Sequence, residues 1–347
     1  MSVSRIRHIL STLLGSPWVR LGGSAIAIAL LVHSVNLPKA LELYGHLLPG
    51  WTILAVVLAA LSVAASIAEW GVLLRGGGHH LNWSLLGSWY VRGIFVNQVV
   101  PTGVGSDVMR AVEVGKLTGN GPMVASLLAS RMAGTLAMSW WALAAAIIAR
   151  NRLHLPVVTG FVVFAAVMIV AWTLALVSDV ARERIPQRFR LARAVGDLVR
   201  PLTRAFGDYR DRPHHTVGRS IAAGILAWGF NLFSLAAFSV ALGAYVSWAV
   251  FALTLPVALL ATFIPISANG IGVREGLVVV LLVQEHVAVT AATALALFVD
   301  LQMLPFAMLG GFVYLVAHGR RRGHGQLESE SGGPQPSSPA HAGPGHA

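Results

Sequence analysis

The sequence predicts an all-α fold, a polytopic transmembrane helical bundle with two re-entrant or broken helical hairpins related as an inverted repeat. Hydrophobic residues make up 56% of the 347 residues and charged residues only 11%, whereas soluble domains carry about 25% charged residues. The mean hydropathy is +0.71. Several uncharged runs are long enough to cross roughly 30 Å of hydrocarbon. Two segments broken by Gly and Pro lie at matching places in the two halves, a pattern typical of transporter binding sites.

The apolar runs predict the membrane-crossing helices in their order along the chain. They are Leu21–Pro38, Leu43–Ala68, Met132–Ala149, Leu153–Ser178, Ser220–Val273 and Leu301–Gly319. The run from Ser220 is too long for one crossing, and the segment from Gly243 to Trp248 predicts a turn inside it. Asp300 is predicted to begin the last span, although a crossing from about 287 to 317 also satisfies the topology.

The basic residues predict the orientation of the chain. Arginines precede the first span, follow the second at Arg75, and recur at ten positions in Asp179–Arg219 and at 320–322. Because basic loops stay in the cytoplasm, both termini are predicted to be cytoplasmic. An even number of crossings must then separate the basic segments. A hairpin at about 84–118 is therefore predicted to enter from the cytoplasm and one at about 248–285 from outside, although two full spans for each hairpin, ten crossings in total, remain an alternative.

The composition divides the chain into three parts. Residues 1–20 form a cytoplasmic N-terminal segment, residues 21–318 the transmembrane domain, and residues 319–347 a Gly/Pro/Ser/His-rich tail that is expected to be disordered. Within the domain lie a first repeat loop at 97–115, an arginine-rich cytoplasmic loop at 179–219 and a second repeat loop at 265–276. The net charge of +11 fits orientation and anionic lipid rather than nucleic acid.

The two repeat loops resemble each other in spacing. Pro101-Thr-Gly-Val-Gly-Ser-Asp-Val-Met-Arg110 and Pro265-Ile-Ser-Ala-Asn-Gly-Ile-Gly-Val-Arg274 both place an arginine nine residues after a proline. Non-helical backbone at membrane depth is tolerated where it is buried in protein or lines a polar cavity. A helix that restarts after such a loop directs free N–H groups at an anion, and arginine suits bidentate phosphate contact.

These patterns give the candidate substrate-binding and transport-path residues. They are Asn97, Pro101, Gly103, Gly105, Asp107, Arg110, Glu113, Arg131, Pro265, Asn269, Gly270, Gly272, Arg274, Glu275 and Asp300.

Two of these candidates are charged residues inside apolar segments. A charge at membrane depth is costly and indicates a functional site by default. Arg131 either contacts substrate or pairs structurally with Asp107, Glu113 or Glu69. Asp300 is a rough counterpart of Arg131 with the opposite charge, in a buried ion pair or an ion-coupling role. Glu69, at the end of the second predicted span, is interpreted as an interfacial residue.

The sequence gives little support to catalysis. It contains no cysteine, which excludes disulfides and thiolate metal sites. It contains no His-Glu-x-x-His, no phosphate-binding GxxxxGK[ST] and no GxSxG, and Gly103–Val108 lacks the third glycine of a dinucleotide fingerprint. We therefore expect no catalytic residue, no metal and no cofactor.

The motifs resemble those of a known family. Asn97, Pro101–Arg110 and Ser130-Arg131-Met-Ala-Gly134 resemble the first signature of the lysylphosphatidylglycerol synthase transmembrane-region family, also called flippase-like membrane proteins. Pro265–Gly276 resembles the second signature, and Gly310-Gly311 also fits. The resemblance covers about residues 10–320. This sequence has Ser106 where the family often has glycine, and Ser130 where it often has aspartate.

The resemblance implies lipid movement between leaflets. The family's best-understood members move aminoacylated phosphatidylglycerol and carry a separate soluble aminoacyl-transferase domain, which this sequence does not contain. An anionic phospholipid, a hopanoid-related lipid or a polyprenyl glycolipid is the expected substrate. We therefore expect a multi-pass lipid transporter of the bacterial inner membrane, with membrane lipids as partners and with a homo-oligomer or a lipid-modifying enzyme as further partners left open. A non-transporting membrane subunit and an integral-membrane transferase are the alternatives.

Overall fold

A computed structural model describes residues 37–99, 105–118, 120–148, 213–261 and 272–316. Every regular element within these ranges is helical. The predicted span Leu153–Ser178, nearly all of Leu21–Pro38 and the tail at 319–347 lie outside the described residues. Of the predicted loop at 179–219, residues 213–219 form the first turns of a helix instead.

The described helices follow one another along two halves of the chain. The first half contains α1 (Leu37–Glu42), a short 3-10 helix (Leu43–His46), α2 (Pro49–Gly76), α3 (Trp83–Val99), α4 (Gly105–Thr118) and α5 (Asn120–Ile148). The second half contains α6 (Pro213–Ala241), α7 (Trp248–Ala261), α8 (Val273–Gln284), α9 (Val289–Leu301) and, after a turn at 302–303, α10 at 304–316.

Four of the described helical segments are long and apolar enough to cross a membrane. They are Pro49–Gly76, Ser126–Ile148, Gly218–Ala241 and Val289–Val316. Large apolar side chains on their surfaces are exposed, for example Ile53, Trp140 and Phe312, as expected where lipid replaces water as the solvent. The structure therefore confirms a helical membrane bundle.

Two predicted helix limits were wrong. α2 begins at Pro49, because proline fits the first turn of a helix, and it continues to Gly76 rather than ending at Ala68. Glu69 consequently lies inside this helix. The last span begins at Val289, so Asp300 lies in its interior and does not begin it.

The two halves repeat the same order of helices. Helices that start at residues 49, 83, 105 and 120 in the first half recur at 213, 248, 273 and 289 in the second, each 164 to 169 residues later. We call α2–α5 the first repeat and α6–α10 the second repeat. The predicted turn between α6 and α7 is confirmed, since α6 ends at Ala241 and Gly243 adopts a positive φ of 73°.

The first helices of the two repeats, α2 and α6, pack against each other along their lengths. The Leu48 N–H donates to the Ala241 carbonyl at 3.1 Å, Ser234 Oγ donates to the Ala55 carbonyl at 2.7 Å, and Ser62 Oγ donates to the Ala227 carbonyl at 2.8 Å. Rising numbers on α2 therefore meet falling numbers on α6. The two helices are antiparallel, and the repeats that they begin have opposite orientation.

Each repeat also packs its hairpin against the closing helix of the other repeat. In α7, Trp248 contacts Trp141 of α5 edge-to-face, with ring centroids 5.5 Å apart. In α3, Phe95 contacts Tyr314 of α10, with ring centroids 6.2 Å apart. A reciprocal exchange of this kind is the signature of two-fold symmetry. It agrees with the inverted repeat that the sequence predicts.

The arms of the first hairpin approach each other closely. A Cβ at Gly105 on α4 would lie 3.1 Å from the Val96 carbonyl oxygen and 3.1 Å from Asn97 Cα on α3. In the second hairpin, α8 contains 12 residues, whereas a full crossing takes about 20 residues.

The main apolar core lies between α6, α7, α8 and α9. Phe238 and Phe298 stack in it with ring centroids 3.5 Å apart, and Phe251 and Leu295 are fully buried beside them. A second, smaller core surrounds Trp70 in the first repeat. Aromatic packing therefore joins α6 to α9 in the second repeat and α2 to α3 in the first.

Candidate functional site

The second arm of the first hairpin, α4, carries a line of charged residues. Asp107, Arg110 and Glu113 follow one another at intervals of three residues, so they share one face of the helix. Asp107 and Arg110 form an ion pair. Asp107 also accepts a 2.8 Å hydrogen bond from Arg131 Nε on α5. We call Asp107, Arg110 and Arg131 the first charged cluster.

Arg110 and Arg131 differ in their surroundings. The Arg110 side chain is 10% exposed, and its guanidinium carbon lies 5.4 Å from the ring centroids of both Trp70 and Tyr90. Aromatic faces at this distance attract a cation. The Arg131 side chain is 54% exposed. One arginine of the cluster is therefore held in the protein, and the other keeps N–H donors open at its surface.

Glu113 does not join this cluster. It pairs with Arg92 of α3 at 3.5 Å and with Lys116 at 3.8 Å. Sequence reasoning proposed Glu113 as a path residue and a partner for Arg131, and the structure makes it instead a bridge between the two arms of the hairpin. Arg92 was missed, although an arginine within the apolar stretch Trp83–Val99 carried the same signal as Arg131.

The second hairpin carries an equivalent group of charges. Arg274 of α8 donates to Glu275 from Nε at 3.1 Å and from a terminal nitrogen at 2.9 Å. The same terminal nitrogen pairs with Asp300 of α9. Glu275 also accepts the Gly272 N–H at the start of α8. We call Arg274, Glu275 and Asp300 the second charged cluster.

Burial in the second charged cluster follows a similar order. Glu275 is 6% exposed, whereas the Asp300 side chain is 41% exposed. Gly272 adopts a φ of 84°, a conformation that favours glycine and that lets its N–H turn back to the Glu275 carboxylate. Here too, the hairpin arm holds the buried group and the closing helix presents the exposed one.

The two clusters are equivalent in the repeats but opposite in charge. Asp107 lies on α4 and Glu275 on α8, the second arms of the two hairpins, and Arg131 lies on α5 and Asp300 on α9, the helices that follow. With every group ionised, the first cluster holds two arginines and one carboxylate, and the second holds one arginine and two carboxylates. Over these six side chains alone, the first cluster has an excess of positive charge and the second an excess of negative charge, while Glu69 adds a carboxylate near Arg110.

The two hairpin arginines differ in their ion pairs, although each lies nine residues after a proline. Arg110 pairs with Asp107, three residues earlier on α4, whereas Arg274 pairs with Glu275, the next residue of α8, and with Asp300 of α9. Of the remaining candidates, the structure describes some and not others. Asn97 and Gly105 form the close contact between the arms, and Pro101, Gly103, Pro265, Asn269 and Gly270 lie outside the described residues.

Glu69 was misread as interfacial. It is 6% exposed inside α2, it accepts a hydrogen bond from the Ser130 side chain, and it lies within electrostatic reach of Arg110. Its Oε1 has no hydrogen-bond partner within the part of the chain that the structure describes. Glu69 is a carboxylate next to Trp70 in an apolar segment. This sequence pattern does not distinguish a residue at the membrane surface from one in a buried charged cluster.

Comparison with known proteins adds one finding. The family model described as the lysylphosphatidylglycerol synthase TM region matches residues 17–311, which include both repeats and both charged clusters. A search of curated proteins found no significant match. Across the described ranges, no group of three His, Cys, Asp or Glu residues is arranged to hold a metal ion.

Proposed function

Because this chain belongs to the lysylphosphatidylglycerol synthase TM region family of integral membrane proteins, we propose that it moves a lipid with an anionic head group between the leaflets of the bilayer. The observation that carries the proposal is the pair of charged clusters at equivalent places in two inverted repeats. Charged groups inside a membrane bundle are costly and mark substrate or ion pathways. Inverted hairpins are the architecture that alternating access uses.

The first charged cluster is the proposed head-group site. Its excess positive charge and the half-exposed Arg131 suit a phosphate, which accepts paired N–H donors from arginine. Asp107 occupies the donors of both arginines while no lipid is bound. A bound lipid phosphate would replace the Asp107 carboxylate at one of the two arginines, while Asp107 stays paired with the other. The exchange therefore leaves no charge unpaired.

The second charged cluster is the proposed opposite end of the path. Its excess negative charge disfavours a lipid phosphate, so the phosphate gains little by staying there. Arg274 can still receive it if Asp300, whose side chain is 41% exposed, turns away. The carboxylates Glu275 and Asp300 restore the resting pairs once the lipid leaves. This exchange of partners needs no catalytic residue and no cofactor.

The proposed orientation places both termini in the cytoplasm of a cell whose inner membrane the chain spans. The first hairpin then faces the cytoplasmic leaflet and the second hairpin the outer leaflet. Membrane lipid is the proposed partner. The basic segment around 179–219 supports this orientation through its arginines, which stay on the cytoplasmic side.

Lipid movement in vesicles tests the proposal. We expect vesicles that contain the protein to move fluorescent phosphatidylglycerol between leaflets faster than empty vesicles do. Arg110→Gln and Arg274→Gln should each slow this movement by about 10- to 100-fold, since a charge-assisted hydrogen bond contributes about 1.5–3 kcal/mol. Lys116→Gln is the matched control, because Lys116 lies on α4 with its side chain 52% exposed, outside both clusters.

Two results would contradict the proposal. If both cluster variants move lipid at the wild-type rate, the arginines do not bind the head group. If wild-type vesicles move lipid no faster than empty vesicles, the chain is not a lipid transporter, and a non-transporting subunit that co-purifies with a lipid-modifying enzyme becomes the better explanation.

A further inference from the structure

A buried carboxylate lies behind the first charged cluster and has no role in the exchange described above. Glu69 of α2 is 6% exposed, and Arg110 of α4 is 9% exposed. The carboxylate acts electrostatically on the guanidinium. Oε1 of Glu69 and Nε of Arg110 are both buried, and neither has a hydrogen-bond partner among the described residues. Arg110 therefore lies between two carboxylates and makes an ion pair with only one of them, Asp107.

The groups around Glu69 give it little other compensation. α5 supplies the Ser130 hydroxyl, which is neutral, and the neighbouring Arg131 bonds to Asp107. α3 supplies Arg92, which is engaged by Glu113.

Helix α6, which packs against α2, also supplies a hydroxyl. The antiparallel register that joins Ser62 to Ala227 and Ala55 to Ser234 places Ser220 opposite Glu69. The Ser220 Oγ is buried and likewise has no partner in the described ranges. Unpaired buried oxygens at one level of a bundle are the usual setting for an ordered water. Arg110 is the cation that acts electrostatically on Glu69 among the described residues.

The charge balance changes when an anion binds Arg110. A phosphate at Arg110 brings a second negative charge next to Glu69 and uses the positive charge that stabilised it. A buried carboxylate beside an anion and without a free cation is stable only in its neutral form. Glu69 would take a proton from solvent water onto a carboxylate oxygen, which leaves the local charge unchanged.

We infer that Glu69 binds one proton when an anionic lipid head group binds Arg110, so that the protein takes up a lipid anion and a proton together. The inference rests on the proposed function and adds the coupling ion. In the second repeat, the position 164 residues after Glu69, the spacing between the first described residues of α2 and α6, is Phe233, which packs against Trp141 and Trp248.

Binding of a soluble phosphatidylglycerol to the detergent-solubilised protein tests the inference directly. Short-chain dihexanoyl-phosphatidylglycerol is a suitable probe, because its phosphodiester keeps one negative charge from pH 5 to pH 9. In weakly buffered solution we expect the wild type to take up close to one proton per lipid bound, in the part of this range where Glu69 is ionised without lipid. In the same range the dissociation constant should rise tenfold for each unit of pH increase, which is the linkage for one proton.

Glu69→Gln carries a neutral group of the same shape, so it should bind with a pH-independent affinity equal to that of the wild type at low pH, and with no proton uptake. Glu113→Gln is the matched control. It removes a carboxylate from the same hairpin, outside the first charged cluster, and should keep the wild-type pH dependence.

The outcomes separate the two proposals. If the wild type binds the lipid, Arg110→Gln abolishes binding and Glu69→Gln retains the proton uptake, then the head-group site stands and the role of Glu69 is refuted. If the wild type binds no phosphatidylglycerol at any pH, the head-group site and the proton linkage are both refuted. Circular dichroism of each variant identifies a loss of binding that reflects unfolding. Should Glu69→Gln unfold, Glu69→Ala replaces it, because it also removes the carboxylate, and proton uptake retained in that variant would likewise refute the inference.

Discussion

Asp107 connects two arginines that come from different helices. Arg110 lies three residues further along α4, and Arg131 lies on α5. Asp107 therefore joins the hairpin to its closing helix. Ser130, which precedes Arg131 on α5, contacts Glu69 instead of Arg131.

This pairing predicts an energetic coupling between Asp107 and Arg131. We expect a double-mutant cycle of Asp107→Asn and Arg131→Gln to give a coupling energy of about 1–2 kcal/mol, within the range for residues of one salt-bridge network. Unfolding of the purified protein in mixed micelles is the measurement. The pair Glu113–Lys116 is similarly exposed but longer, at 3.8 Å, so it is the matched cycle and should couple by less than about 0.5 kcal/mol. Equal coupling in the two cycles would contradict the described arrangement.

Helix α10 packs closely against the first hairpin because the residues of α10 at this contact are glycines. A Cβ at Gly310 would overlap the Val91 carbonyl of α3, and one at Gly311 would lie 3.0 Å from the Phe95 ring. Close approach of helix backbones through small residues is the usual packing mode in membranes, where no hydrophobic effect drives helices together. Contact between the repeats at this place therefore depends on glycine.

Substitution of Gly310 tests this contact. We expect Gly310→Ala to destabilise the protein by about 1–3 kcal/mol, since the added methyl group overpacks a closed interface. Gly87→Ala on α3 is the control. Nothing lies within 4 Å of a Cβ at Gly87, so this change should be neutral or stabilise by up to about 1 kcal/mol through helix propensity. Thermal unfolding in detergent compares them, and a loss at Gly87 as large as that at Gly310 would refute the packing explanation.

The whole molecule is organised around the antiparallel contact of α2 and α6. Ser62 and Ala227 meet near the middles of these helices, and the helices that follow extend from opposite ends of this pair. Any change that opens one hairpin therefore has a geometric equivalent on the other face. Alternating access needs this property, while the opposite charges of the two clusters make the two ends chemically different.

Single cysteines test the inversion, because the natural sequence contains none. His80 precedes the first hairpin and Tyr245 precedes the second, and both are exposed. We expect an impermeant thiol reagent to label His80→Cys only from the cytoplasmic side and Tyr245→Cys only from the opposite side. We also expect a cysteine in the tail at Ser337 to be labelled from the same side as His80→Cys. Labelling of His80→Cys and Tyr245→Cys from the same side would refute the inverted repeat.

Much of the fold was predictable because apolar length and turn residues are local properties. The predicted hairpins at 84–118 and 248–285 correspond to Trp83–Thr118 and Trp248–Gln284, and the turn after Ala241 was placed correctly. The limits of α2 and of the last span were less accurate, since an apolar run ends at its first charge whereas a helix continues past a charge that finds a partner. Glu69 and Asp300 are two such charges.

The sequence by itself determined the membrane environment, the helical class, the two broken hairpins and their opposite orientation. Hydropathy, glycine and proline positions and the distribution of arginine decide these features without tertiary contacts. Only the tertiary structure decided which charges meet. It paired Asp107 with Arg110 and Arg131, it paired Arg274 with Glu275 and Asp300, and it buried Glu69 within electrostatic reach of Arg110. Pairing of charges depends on helix register and helix packing, which a count of residues along the chain does not contain.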